Sequence, residues 1–208
     1  MFRFAHIARS QVCKLVGSAV ILCGLALPAQ AASITGLEMA LPQPGEGTVS
    51  PGLAVRYYFH EFRHIREVIS WQDYEDGKVG DPLPSLDYRS GDGPVLTSTA
   101  SDSVGAHILG FIHLAEAGLY SFATQSNDGV RVSLGGKQII DDPDVHADRY
   151  SDPVEVVIET AGWYPIEVYY FERKVTSTLQ LYWLQPDEEE GSMTVVPPEV
   201  FAHPKQAN

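Results

Sequence analysis

Five stretches between residues 119 and 184 alternate apolar and polar side chains with period two. In LYSFATQ (119–125), Tyr120, Phe122 and Thr124 fall on one side, with Leu119, Ser121 and Ala123 on the other. VRVSL (130–134) sets Val130, Val132 and Leu134 against Arg131 and Ser133. VEVVIE (154–159), PIEVYYFE (165–172) and TLQLYWL (178–184) repeat the pattern. Successive strand side chains point to opposite faces, so each stretch offers one apolar face to a core, and a helix would scatter those residues around its axis. Gly135-Gly136 separates VRVSL from KQIID. Such a pair suits the two-residue hairpin, whose central positions need positive φ. A strand roughly every ten to twelve residues predicts an all-β fold, an antiparallel sandwich or barrel. No internal repeat is visible. The acidic run at 187–190 is expected to be a solvated loop, and the tail from Ala202 to fray.

The N-terminus has another design. Arg3, Arg9 and Lys14 precede the apolar run LVGSAVILCGLAL, and Ala29-Gln30-Ala31 supplies a small-residue exit. These are the parts of a secretory signal peptide cleaved after Ala31. The run is short for a bilayer span and no second one follows, so no integral membrane segment is expected after cleavage. Leu22 precedes Cys23 where a lipidation signal wants a small residue, so no lipid anchor is expected. Both cysteines, Cys13 and Cys23, fall in the removed segment, leaving an exported chain without disulfides. Cleavage takes 3 of the 14 basic residues and none of the 27 acidic ones, so 11 oppose 27, a net charge of −16. Such a charge excludes nucleic acid as a partner and disfavours anionic membranes, while leaving cations, neutral glycans and basic proteins open. The expected organisation is a signal peptide (1–31), an N-terminal extension (32–48), one domain (49–202) and a short tail (203–208).

Five segments then occur in a telling order: GLAVRYYF, GFIHLAEAGLYSFATQSNDGVRVSLGGKQIIDD, TAGWYPIEVYYFE, LQLYW and VPPEVF. Together they resemble the PA14 domain, the module named after anthrax protective antigen, over about residues 49–202. The resemblance implies a β-sandwich or barrel of antiparallel strands. It further implies a non-catalytic module associated with carbohydrate binding in glycosidases, proteases, toxins and fungal adhesins. A fold hosts many functions, so the site must carry the argument. Gly118, Gly129 and Gly162 are expected at turns with left-handed backbone. Trp163, Tyr170 and Trp183 are expected in the core, with sugar stacking as the alternative.

In calcium-dependent adhesins of that family, two consecutive aspartates joined by a cis peptide hold a calcium ion against sugar hydroxyls. Here Asn127 stands at the first position and Asp128 at the second. Calcium accepts carbonyl and carboxylate oxygens alike, although losing one charge weakens a site. A plain Asn-Asp-Gly turn is the alternative. The loop DDPDVHADRYSD (141–152) follows the hairpin and, by the resemblance, lies near this position. Its spacing is not that of an EF-hand. Carboxylates so dense repel one another unless cations or solvent intervene. The candidate ligand-binding residues are therefore Asn127, Asp128, Arg131, Asp142, His146 and Arg149. Asn127, Asp128 and Asp141 are the candidate calcium ligands. A glycan or polysaccharide is the expected partner. The alternative is a structural or protein-interaction role, docking on an envelope protein without binding sugar.

One motif points elsewhere. Residues 60–64, HEFRH, fit the H-E-x-x-H pattern of zinc peptidases. Val55, Phe59, Phe62, Ile65 and Ile69 recur at helical spacing, so a helix over 58–71 is one reading, while LAVRYYF (53–59) also reads as a strand. The zinc reading lacks support around the motif. Glu67 stands where the extended pattern needs glycine, Ser70 where it needs a third histidine, and Asp87 is the only stretched downstream ligand. The resemblance assigns 53–59 to a strand, leaving HEFRH in a connection. His107 and His113 flank HILGFIH on one face of an extended segment and are expected to be structural. No enzymatic activity is expected.

Overall fold

The computed structural model describes residues 32–188 and 193–205. The expected signal peptide, part of the acidic run and the last three residues lie outside them.

Two antiparallel sheets enclose one core. The larger contains β1 (Val49–Pro51), β2 (Ala54–Phe59), β3 (Lys78–Val79), β5 (Val104–Leu114), β7 (Val130–Leu134), β8 (Lys137–Asp142), β11 (Gly162–Glu172) and β14 (Phe201–Pro204). The smaller contains β4 (Asp87–Arg89), β6 (Gly118–Asn127), β9 (Arg149–Tyr150), β10 (Val154–Ile158), β12 (Thr178–Leu184) and β13 (Thr194–Val195). The all-β sandwich read from period two is therefore the observed architecture. The alternation works as expected: Tyr120, Phe122 and Thr124 are buried, as are Val130, Val132 and Leu134. Gly135 and Gly136 both take positive φ, 53° and 75°, in the β7–β8 turn.

Two strands place the functional end. In β11, Tyr164, Ile166, Val168, Tyr170 and Glu172 share the inward face. In β6, Ser126 follows Thr124 inward while Gln125 and Asn127 turn outward, paired across to Gln180 and Thr178 of β12. Beyond these ends lie three connections, 127–129, 142–148 and 173–177.

Three expectations change. The tail does not fray at Ala202: residues 201–204 form β14, wedged between β1 and β5. Trp163 faces outward, half-buried against His113 at 4.9 Å between ring centroids, because it sits one residue out of phase with Tyr164 and Ile166. Tyr170 and Trp183 are in the core as expected. Gly129 is needed for space and not for left-handed backbone, since a Cβ there would lie 2.5 Å from Phe171 Cε1 and 2.9 Å from the Pro143 oxygen. Gly118 and Gly162 do take positive φ.

The segment read two ways divides between its readings. Residues 54–59 are strand, and α1 (Ile65–Trp71) starts only after HEFRH. Its buried residues are Ile65 and Val68, joined by Phe62 from the preceding connection, with Ile69 only partly covered. These residues pack on Tyr58 and Phe171 of the larger sheet's outer face. His60 lies outside the helix, stacked on Trp71 at 4.2 Å, and His64 is the N-cap, its Nδ1 accepting from the Arg66 amide. The two histidines thus do not share one helical face. Glu61, where a peptidase would need its general base, is bound by the Arg173 guanidinium at 2.7 and 2.8 Å, which lowers its pKa. Replacing His64 with Ala should cost about 1 kcal/mol of stability, the usual worth of an N-cap side chain. Thermal unfolding would show it, and a zinc-dependent difference between wild type and H64A would contradict the capping role.

Candidate ligand-binding corner

The Asn127–Asp128 peptide is cis. Its carbonyl oxygen accepts from the Tyr170 hydroxyl at 2.5 Å, and the Asn127 amide donates to Thr176 Oγ1 at 2.9 Å. Asp128 is 4% exposed. Its Oδ1 accepts the His146 amide at 3.1 Å and its Oδ2 the Arg173 amide at 2.8 Å. One carboxylate thus joins three connections at the mouth of the sandwich. Burial raises its pKa, and the two backbone donors offset that only in part.

From His146 the network continues outward. His146 Nδ1 lies 2.8 Å from the Ala147 carbonyl, which can only accept, so Nδ1 carries a hydrogen. Nε2 stands 3.2 Å from Asp142 Oδ2, outside hydrogen-bonding geometry. Both Asp142 oxygens are gripped by Arg149, through Nε at 2.9 Å and through Nη2. This fork raises the arginine pKa further. Beside it opens a cleft of about 450 Å³, lined by Asp141, Asp142, Arg149, Tyr150, Ser151 and Asp152 together with Ile139, Ile140 and Val154. Tyr150 is 61% exposed at the rim, its ring 5.5 Å from Tyr182.

Of the sequence candidates, Asn127, Asp128, His146, Asp142 and Arg149 form this continuous chain of contacts. Arg131 and Asp141 do not join that chain, although Asp141 also lines the cleft. They pair with each other at 2.9 and 3.2 Å across the β7–β8 hairpin. The strand alternation that sends Val130 inward sends Arg131 outward, and Asp141 is its register partner.

Three residues were not singled out from sequence. Tyr150 belongs to the cleft, and Arg173 supplies a backbone donor to Asp128. Glu172 ends β11 fully buried, with no partner for either carboxylate oxygen. Burial, then the charges of Asp102 and Asp128, push its pKa up to about 8. Its signal was present in the pattern: two residues after Tyr170, it occupies an inward position of an alternating strand.

The oxygen-only donor set at Asn127–Asp128 suits a hard cation in kind. It is poor in number, with one carboxylate and one amide oxygen. Among the described residues, no group of three or more histidine, cysteine or acidic side chains converges as a metal site.

Comparison with known proteins agrees with the architecture. A PA14 domain model matches residues 50–195. The chain is similar in structure to the PA14 domain of the MpAFP antifreeze protein, at 13% identity and a TM-score of 0.64, over 79% of this chain and 96% of that one. It is similar to a PA14 sugar-binding domain from an RTX adhesin, at 15% identity and a TM-score of 0.59, over 74% and 98%. It also resembles the Epithelial Adhesin 9 A domain from Candida glabrata, solved with Galb1-4GlcNAc, at 14% identity and a TM-score of 0.59, over 82% and 96%. No curated protein matches the chain by sequence. With the domain model covering most of its length and the two-sheet architecture in place, the chain belongs to the PA14 domain family.

Proposed function

We propose that the protein is an exported, non-catalytic module that binds a neutral glycan or polysaccharide in the cleft beside the Asn127–Asp128 corner. The observation that carries this reading is the fixed Asp142–Arg149 fork at the wall of a cleft with exposed Tyr150 at its rim. A pyranose offers hydroxyls on its edges and C–H groups on its faces. Carboxylate and guanidinium, held rigid by each other, present acceptors and donors to adjacent hydroxyls at little entropic cost, and a tyrosine ring covers a C–H face. A cleft of about 450 Å³ falls within the usual small-ligand range. The sugar-binding relatives named above support the class of ligand. The acidic chain supports a neutral sugar over an anionic one.

Calcium belongs to this reading as a weak assistant at Asn127 and Asp128. With a single charge in the donor set, half-saturation is expected at about 10⁻⁴–10⁻³ M, the range of extracellular modules.

The test is a glycan array with the chain lacking residues 1–31, followed by titration of the best ligand against variants. Tyr150→Ala is expected to weaken binding by roughly tenfold, about 1.4 kcal/mol of stacking. Arg149→Ala should weaken it further, since it also frees Asp142. Unchanged affinity in both variants would remove the cleft from the site. An array with no binder would end the glycan reading in favour of docking on an envelope protein.

A further inference from the structure

We propose that the outer face of the smaller sheet continues the glycan site beyond the cleft, so that the protein takes an internal stretch of a linear neutral polysaccharide and not a chain end. The inference rests on the glycan reading above and adds to it the length and course of the ligand.

The two residues of β9 face opposite ways. Arg149 pairs with Ser126, which points inward, and Tyr150 pairs with Gln125, which points outward. Tyr150 therefore stands on the ridge where the cleft gives way to the outer surface of the sheet. Across that surface the register sets four side chains in one row: Tyr150 of β9, Gln125 of β6, Gln180 of β12 and Asp87 of β4. Directly opposed residues share a face, and three interstrand steps make the row about 14 Å long. Tyr182 lies two residues beyond Gln180 on the same face, its ring 5.5 Å from that of Tyr150. Arg89 lies two residues beyond Asp87, also on this face, and pairs with Asp148 at 3.8 Å.

Two features set this face apart from an ordinary solvated one. Its polar groups are fixed to one another: the Tyr182 hydroxyl donates to Gln180 Oε1 at 3.1 Å, and Gln180 Nε2 donates to Asp87 Oδ1. A phenol, an amide and a carboxylate locked into one relay meet a ligand at little cost in ordering. The row is also one donor short. Gln125, in its middle, is 7% exposed, and its Oε1 has no partner among the described residues. A buried acceptor left without a donor is costly, and the neighbours of Gln125 along the row are the exposed Tyr150 and Gln180. A sugar stacked on the Tyr150 ring brings hydroxyl donors to that place.

The chemistry suits a neutral chain. Tyr150 and Tyr182 offer rings to the C–H faces of successive sugars, and the row from Gln125 to Asp87 offers hydrogen-bonding groups to their hydroxyl edges. At the far end Arg89 is set against Asp87 and Asp148, so no strong field selects a charged sugar. A closed pocket would suit a chain terminus. Here the cleft wall of Asp142 and Arg149 runs over Tyr150 onto an open face, which suits a chain that enters, crosses the ridge and continues toward Asp87.

The experiment uses the chain lacking residues 1–31. It is run by affinity electrophoresis through a neutral galactan, glucan and mannan, and the disaccharide and hexasaccharide cut from whichever retards it are titrated by calorimetry. The hexasaccharide should bind at least about tenfold more tightly than the disaccharide. Asp87→Asn, an exposed change that keeps the shape, should weaken hexasaccharide binding about fivefold and leave the disaccharide unchanged. Tyr182→Ala should show the same split at about tenfold, and Tyr182→Phe, which loses only the hydroxyl, serves if the alanine variant fails to fold. Arg149→Ala should weaken both lengths. Equal affinity for the two lengths, or hexasaccharide binding unchanged in the variants at 87 and 182, overturns the extension and leaves the cleft in place. Retardation by none of the three polysaccharides overturns the glycan reading itself, and this inference with it.

Discussion

The Glu172→Gln protein is expected to be more stable than wild type at pH 8 in the presence of chelator, and no more stable at pH 4. In the unfolded chain Glu172 ionises near its ordinary 4.5, whereas in the fold burial beside Asp102 and Asp128 holds the proton until about pH 8. Between those values the native state binds one more proton than the unfolded state, so the group's contribution to stability falls as pH rises. It is fully present below 4.5 and lost by the time pH passes 8. The gap corresponds to a few kcal/mol, on the order of 5, since each pKa unit is about 1.4 kcal/mol. Glutamine cannot ionise, so the variant lacks this slope. Urea unfolding of both proteins at pH 5, 7 and 8 measures it directly, and parallel curves across that range would show that Glu172 does not titrate as a buried acid. Asp128 faces the same interior with its pKa also raised, so a residual slope of the same sign should persist in the variant. Removing a native carboxylate to gain stability is unusual, and it fits a residue kept for something other than packing.

The fold was legible because it rests on burial alternation, which a single sequence displays. Tyr120, Phe122, Val130, Val132, Ile166 and Val168 are all where period two puts them. The ordered segments from GLAVRYYF to VPPEVF then named the family. The site was legible only in outline. Asn127, Asp128 and the 141–152 loop do meet, yet Asp141 and Asp142 are adjacent in sequence and point apart. One closes a hairpin pair with Arg131 while the other faces Arg149. Both line the cleft, and which of the two reaches Arg149 depends on strand phase at the end of β8. Glu172 was missed for another reason. Charged residues ending a strand are usually solvated, and only the third dimension, with β5 lying against it through the Glu172–Val104 pair, closes the water out. HEFRH was set aside on sequence grounds, and the structure does place it in a connection. Its letters fit a zinc helix, but a strand runs to Phe59 and the helix begins at Ile65, so the motif straddles a connection.

Replacing Asp128 with Ala is expected to destabilise the protein by about 2–4 kcal/mol and to loosen two connections at once. The carboxylate accepts the amides of His146 and Arg173, residues 18 and 45 positions away. Alanine leaves both donors without an acceptor, at about 1–3 kcal/mol each where water cannot enter. Relief from burying a charge, which the raised pKa of Asp128 records, offsets part of that. Asparagine keeps one acceptor oxygen and turns a donor against the other amide, so Asp128→Asn should fall between alanine and wild type. Amide hydrogen exchange distinguishes the cases: faster exchange at both His146 and Arg173 in the alanine variant, and at one of the two in the asparagine variant. Unchanged protection at both would mean that the loops hold themselves without Asp128. The consequence reaches the binding experiments. His146 is tied through the same loop to Asp142 and Arg149, so removing Asp128 disturbs the cleft wall even if the carboxylate never touches a ligand. A loss of glycan affinity in Asp128→Ala therefore measures preorganisation as much as contact, whereas Tyr150→Ala and Arg149→Ala, both at exposed positions, leave the three-loop tie intact and report on the cleft itself.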